Sequence, residues 1–374
     1  MSIRVRRFEP DDAPAIDRLN ARLAACGIAD RVYPEAASTF AEARGDALSQ
    51  ELYVAVDNDE VRGGVWLHEH QFIHRGQVIR AGWLKYPVSE SLINREYGGV
   101  PGALLVTLTR RQPEIMALGM GGRTTPIAQL LFSLGWGIID VPFYAAPVRP
   151  ARLLGHLPEL RRVRWLDRWA KIAARTGLAT AAAAPINALR RVRTGLLLND
   201  VVVSPVSAFG PWTDAIWTDA RDRYGLIARR DAAMLNQFYS QDFPRLTRLR
   251  VTQRNADIGW ICVTLANPTS QAARREFGEL RVGLLADALG SPANAPAILA
   301  AGMHHLVSQG ADVIVTNQMH PSWRRPLRYL GFVQRPTNFL FAYSRRIAGR
   351  LAEEIEAGDL FLNRGDCDGP PRWA

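Results

Sequence analysis

The chain states one α/β pattern twice, and that duplication restricts its fold more than any other feature. Val61-Arg62-Gly63-Gly64-Val65-Trp66 opens an apolar strand, and Leu130-Leu131-Phe132-Ser133-Leu134-Gly135-Trp136 ends a helix further on. The same landmarks return as Asp257-Ile258-Gly259-Trp260-Ile261 and Leu327-Arg328-Tyr329-Leu330-Gly331-Phe332. Gly64 to Gly135 is 71 residues and Gly259 to Gly331 is 72, while Pro101 and Pro296 each precede an apolar helical run. A repeat this long implies two domains, since solenoid periods run about 20–50 residues. Function is then to be sought where the copies differ.

Periodicity and turn chemistry fill in each copy. In the first, residues 3–8 alternate as a strand, and helices fit 13–25 and 34–48. A meander follows over 52–56, 61–68 and 78–87, with turns at Asn58-Asp59 and Arg75-Gly76. Then come a helix over 101–110, a buried strand over 114–119, a helix over 126–134 and a closing strand over 138–147. The second copy repeats this, with a meander over 246–253, 259–265 and 279–287. A helix over 297–308, a buried strand over 312–316, a helix over 322–330 and a closing strand over 339–344 complete it. The expected fold is α/β (α+β): two domains, 1–148 and 204–346, each a mixed, mostly antiparallel sheet flanked by helices. A basic helical linker, 149–203, joins them, and a C-terminal helix and polar tail, 347–374, follow.

With 374 residues and 48% hydrophobic content, two cores need neither disulfides nor metal. Cys26, Cys262 and Cys367 are scattered, so no zinc site or disulfide framework is expected. The first residues carry charge without an apolar core, and no apolar run reaches about 18 residues, so a cytoplasmic chain is expected. The formal charge of +10 is concentrated: residues 149–193 hold 11 basic residues against Glu159 and Asp167. There Trp165, Leu166, Trp169, Ile172 and Ala173 share a helical face among arginines, which makes 149–193 a candidate for peripheral contact with an anionic membrane. An anionic acceptor groove and a plain interdomain helix fit the same pattern. Aromatic–basic interleaving does not extend into either domain, so nucleic acid is not an expected partner.

The order of elements and two signatures resemble the GNAT superfamily of acyl-CoA N-acyltransferases. Tyr97-Gly98-Gly99-Val100-Pro101-Gly102-Ala103 stands where that family has Gln/Arg-x-x-Gly-x-Gly/Ala, between the fourth strand and the next helix. The Leu-Gly-Trp/Phe endings at 134–136 and 330–332 stand where it closes the helix before the last strand. Tandem copies are similar to its FemAB-like branch, which transfers aminoacyl groups in cell-wall assembly. The resemblance implies an acyl-CoA substrate, acetyl-CoA or another, and an amine acceptor, with no metal. A cell-envelope or polysaccharide precursor is one such acceptor. Aminoacyl transfer from charged tRNA, and a catalytically silent binding module, remain as alternatives. Gly98, Gly99, Val100, Gly102 and Ala103 would bind the cofactor. A helix N-terminus offers N–H groups and a favourable dipole to a pyrophosphate, and glycine lets the backbone come close. The second copy has Ser291-Pro292-Ala293-Asn294-Ala295-Pro296-Ala297 there, without glycine, but carries Asn317 where the family often bonds the pantetheine arm.

Amine acylation needs a base for the amine and often an acid for the thiolate. The family's usual tyrosine acid is replaced by Leu131 and Leu327. Glu90 and Asp287, at the ends of matching strands, are the catalytic candidates; Asp287 interrupts an otherwise apolar strand. His68, Glu69 and His70 are further base candidates, or solvent-facing residues of a strand. Asp366 and Asp368 read as a polar tail more readily than as a metal dyad.

Overall fold

The structure, a computed structural model, describes residues 3–28, 48–154, 178–239, 246–266 and 280–366. The expected helix at 34–48 (Leu48 apart), the tryptophan-bearing stretch 165–173 and Asp368 lie outside the described residues.

The first copy supplies strands β1 (Arg4–Arg7), β2 (Leu48–Asp57), β3 (Glu60–His74), β4 (Gln77–Ser89), β5 (Ile115–Gly119), β6 (Gly137–Asp140) and β7 (Phe143–Pro147). Its helices are α1 (Ala13–Ala25), α2 (Val100–Arg111) and α3 (Pro126–Ser133), with α4 (Pro150–Leu154) and α5 (Leu178–Leu197) following. The second copy opens with β8 (Val201–Val206), which begins inside the span expected as linker. It continues through α6 (Pro211–Ala220), β9 (Leu226–Ala228), α7 (Ala232–Phe238), β10 (Leu246–Gln253), β11 (Ala256–Ala266) and β12 (Val282–Gly290). Then come α8 (Ala295–Ser308), β13 (Val313–Asn317), α9 (Pro321–Tyr329), β14 (Val333–Arg335) and β15 (Leu340–Tyr343). Helices α10 (Arg345–Arg350) and α11 (Ala352–Ala357) and strand β16 (Leu360–Phe361) end the described chain. Among the described residues no helix is long and apolar enough to cross a membrane.

Two compact units result, and their boundaries cross those expected at 148 and 346. One comprises Met1–Asp140 and Asn338–Glu356, the other Val141–Thr337 and Ala357–Ala374. The first unit's sheet runs β1-β2-β3-β4-β5-β15-β6, the second's β14-β7-β13-β12-β11-β10-β8. Each copy has thus given up a closing strand. β15, from the second copy, pairs antiparallel with β5 (Phe341↔Leu118, Tyr343↔Met116). β7, from the first, pairs antiparallel with β13 (Tyr144↔Thr316). The single strand expected at 138–147 breaks at Val141-Pro142, where proline offers no N–H to a ladder. β6 stays behind on β15 (Ile138↔Ala342) while β7 leaves.

The repeated landmarks now have causes. Gly135 and Gly331 adopt φ of +79° and +83°, which glycine tolerates best. They close α3 and α9 in matching Schellman caps: Gly135 N–H donates to Phe132 O and Trp136 N–H to Leu131 O, and Gly331 and Phe332 repeat this on Arg328 and Leu327. Gly63 and Gly259 lie under a helix start. A Cβ at Gly63 would meet Val100 Cγ1 at 2.8 Å, and at Gly259 it would collide with Ile298 and the Leu289 carbonyl. The turns Asn58-Asp59 and Arg254-Asn255 are left-handed at both positions, as the tightest hairpins require. In the first unit α1 buries Ala15, Ile16, Leu19 and Leu23 against Leu52, Val54, Val61 and Trp66, and α2 buries Leu104, Leu105 and Leu108 on the sheet's other core.

Candidate functional site

In the first unit β4 and β5 run parallel through Gly82↔Ile115, Trp83↔Met116 and Leu84↔Ala117 and then part. A register shift and a left-handed Tyr86 (φ +49°) bend β4 at that point. Pro87, next along, has no N–H to offer a neighbour. Two parallel strands that diverge open a wedge, and here the wedge is a cavity of about 710 Å³. Val65, Pro87, Val88, Leu92, Leu104, Leu105, Met120, Ile127 and Leu130 make its wall apolar. Ser89, Ser91 and Thr125 supply hydroxyls, and among the described residues no charged side chain lines it.

Gly98 and Pro101, from the start of α2, also line this cavity. A Cβ at Gly99 or Gly102 would meet nothing within 4 Å, so open space stands over the backbone there. The first N–H groups of a helix lack intrahelical partners and carry the positive end of the helix dipole. Val100, buried at the same turn, anchors α2 against Gly63. Ala103 continues the helix, its N–H donating to Gly99 O. Arg95 is exposed just before the turn.

The first catalytic candidate, Glu90, is only 4% exposed and lies between Ser89 and Ser91. Its carboxylate accepts from Arg22 at 2.9 and 3.0 Å and from Arg62 at 3.1 and 3.2 Å. Two guanidiniums therefore hold it as a charge partner. Glu69 and His70 are buried, unlike solvent-facing strand residues, and Glu69 accepts from Gln112 at 3.0 Å and Ser49 at 3.1 Å. His68 and His70 do share a face, their rings stacked 6.5 Å apart. Burial, with help from Lys85 and His70, holds the His68 imidazole well below its ordinary value.

In the second unit β12 and β13 repeat the wedge: they pair through Leu284↔Val315 and then part. Here the space is filled by the chain itself. Met319 N–H donates to Leu362 O at 2.9 Å, and Gln318 forms a β-bridge with Asn363. Asn317, fully buried, accepts at Oδ1 from Arg364 Nε at 2.7 Å. Asp287, the second catalytic candidate, is 3% exposed beside the bulge of β12. It accepts from Arg230 Nε at 3.2 Å, from the Tyr239 hydroxyl at 2.8 Å and from Asn363 Nδ2 at 2.8 Å. Arg230 also reaches Asp366 Oδ1 at 2.7 Å. One buried guanidinium thus serves two carboxylates. Burial and then Asp287 push the Asp366 carboxyl up to about 6 against the pull of Arg230, and the Tyr239 hydroxyl is raised well above its ordinary value, first by burial and then by Asp287.

The sequence reading missed this network. Its one signal was a carboxylate inside an apolar strand, which demands a buried cation, and Arg230 is 57 residues away. Asp366 belongs to it and not to a tail; among the described residues no His, Cys, Asp and Glu group is placed to hold a metal ion.

No family model and no curated protein matches the chain. Solved structures do. A GCN5-related N-acetyltransferase from Anabaena variabilis ATCC 29413 aligns over 91% of this chain and 72% of its own, with TM-score 0.53 and 10% identity. A conserved Enterococcus faecalis V583 protein, a candidate N-acyltransferase, aligns over 94% and 75%, with TM-score 0.52 and 9% identity. A tandem GNAT protein from the clavulanic acid biosynthesis pathway aligns over 92% and 98%, with TM-score 0.50 and 9% identity. The fold is a tandem GNAT fold. At such identities the likeness carries architecture, and chemistry has to come from this chain's own residues.

Proposed function

We propose that the first copy binds an acyl-CoA and that the protein transfers its acyl group to an amine. The observation that carries this is the open backbone over Gly99 and Gly102 at the mouth of an apolar wedge. The pyrophosphate would lie on the first turn of α2, at Gly98, Gly99, Val100, Gly102 and Ala103, and the pantetheine arm between β4 and β5. A neutral amine then attacks the thioester carbonyl, the tetrahedral adduct collapses with its C–S bond broken, and the proton lost by the amine nitrogen goes to the departing sulfur, directly or through water, giving the amide and CoA thiol. Acetyl as the group, an envelope or polysaccharide precursor as the acceptor, and a cytoplasmic setting complete the proposal. Contact of 149–193 with an anionic membrane remains part of it, as does an aminoacyl-tRNA donor as the competing enzyme reading.

A second reading has an observation of its own. Among the described residues no titratable side chain lines the cavity, Glu90 is clamped by two arginines, and Leu131 stands where a tyrosine acid would be. A silent module that binds acyl-CoA without transfer fits those residues. Thiol release from acetyl-CoA across a panel of amines separates the two, since only an enzyme liberates CoA in step with acceptor.

Both readings require binding, and Gly102→Glu tests it. The site is open and glutamate is the better helix former, so the apo protein should melt no lower than wild type. A carboxylate set against the phosphates should abolish the rise in melting temperature that acetyl-CoA gives wild type. If no acyl-CoA of any chain length shifts the wild-type melt, both readings fail.

A further inference from the structure

The two wedges are built alike and filled differently. In the first copy the gap beyond the last β4–β5 pair is an open apolar cavity. In the second, the matching gap between Asp287 and Asn317 contains residues 362–366 of the same chain, packed to burial.

The segment is held as a peptide ligand is held. Strand β16 adds in parallel to β9 (Leu360↔Leu226, Phe361↔Ile227), main chain against main chain. Beyond it the chain turns on itself, Asn363 N–H donating to Asp366 Oδ2 and Gly365 N–H to Asn363 Oδ1, both at 2.8 Å. That turn presents three side chains to the wedge: Asn363 to Asp287, Arg364 to Asn317 and Asp366 to Arg230. Gly365 sits where no larger residue fits, because a Cβ would strike the Tyr239 hydroxyl and the Asp287 side chain.

Charge balances with the segment absent or present: Arg230 and Asp287 form a neutral pair, and the segment brings Arg364 along with Asp366. The wedge therefore needs no charge from its occupant to be neutral.

We propose that the second copy is a peptide-binding domain whose groove is occupied in cis by Leu360–Asp366, so that the protein binds acyl-CoA at one site only. The stoichiometry rests on the proposed function; the groove does not.

Gly365→Val tests it. In wild type, calorimetry should show one acetyl-CoA per chain, and hydrogen exchange should find 360–366 strongly protected. Gly365→Val should raise exchange across 360–366 by about 100-fold or more and leave acetyl-CoA affinity unchanged. A synthetic peptide of residues 358–366 should then bind the variant and not wild type. Should the variant fail to fold, Arg364→Ala, which removes the hydrogen bond to Asn317 and adds no bulk, should raise exchange there by about 5- to 10-fold. Two acetyl-CoA per wild-type chain would overturn the single-site claim. Unchanged exchange in both variants, or a folded Gly365→Val that ignores the peptide, would overturn the groove. Zero acetyl-CoA in wild type sinks the proposed function while exchange and peptide uptake still decide the groove.

Discussion

Phe341→Ala will weaken the half of the molecule built mainly from the first copy, although residue 341 belongs to the second. Its ring is fully buried, 6.1 Å from Trp83 and 5.3 Å from Tyr343, and its strand lies between β5 and β6. Truncating a buried phenylalanine costs about 3–5 kcal/mol through lost transfer energy and the cavity left behind. The loss should show as faster amide exchange across β4 and β5, with β12 and β13 unaffected. Tyr144→Ala should do the reverse: Tyr144 is fully buried on β7, hydrogen-bonded to Gln334 at 3.3 Å, inside the second unit's sheet. If Phe341→Ala instead loosens β12 and β13, the strand exchange is not present in solution.

That exchange marks the limit of what the chain discloses as a string of residues. The caps at Gly135 and Gly331 and the close helix approach at Gly63 and Gly259 are local requirements, so they leave local signatures, and the duplicated fold was legible from them. Pairing is not local. Residues 340–343 alternate as a strand whichever edge they join, and β5 and β13 are both short, buried and apolar, so either would accept them. Pro142 was the available hint, because a proline inside an expected strand demotes it. The site divides in the same way. The glycine turn was legible because phosphate-type approach needs glycines in sequence. The partners of Glu90 and Asp287 were not, since Arg22, Arg62 and Arg230 come to them from far along the chain. Asn363 to Pro370 reads as a polar tail, yet the Leu360-Phe361-Leu362 triplet before it calls for burial.

Arg230→Met is expected to destabilise the second unit by about 3–5 kcal/mol at pH 7.5, because it strands Asp287 and Asp366 together without their cation. Acid should return part of that loss as the stranded carboxyls take up protons. Wild type carries a weaker form of the same dependence, and its sign is opposite to ordinary acid denaturation. Asp366 has its carboxyl pushed up from 3.8 to about 6, so the folded chain holds that proton more tightly than the unfolded one. Its contribution is fully present below the unfolded value and is lost as pH rises through about 6, at most about 3 kcal/mol by linkage. Burial raises it most and Asp287 adds to the rise, against the pull of Arg230 and of the Asn363 backbone N–H. His320 pulls the other way: burial lowers its pKa, so its charging opposes folding as acid is added. The quantity to measure is therefore the difference between wild type and Asp366→Asn in urea unfolding of the second unit, at pH 7.5 and pH 5.0. Wild type should gain on Asp366→Asn by about 1–1.5 kcal/mol between those values. A difference that stays constant, or shrinks in acid, would mean that Asp366 is not the proton-binding member of the buried triad.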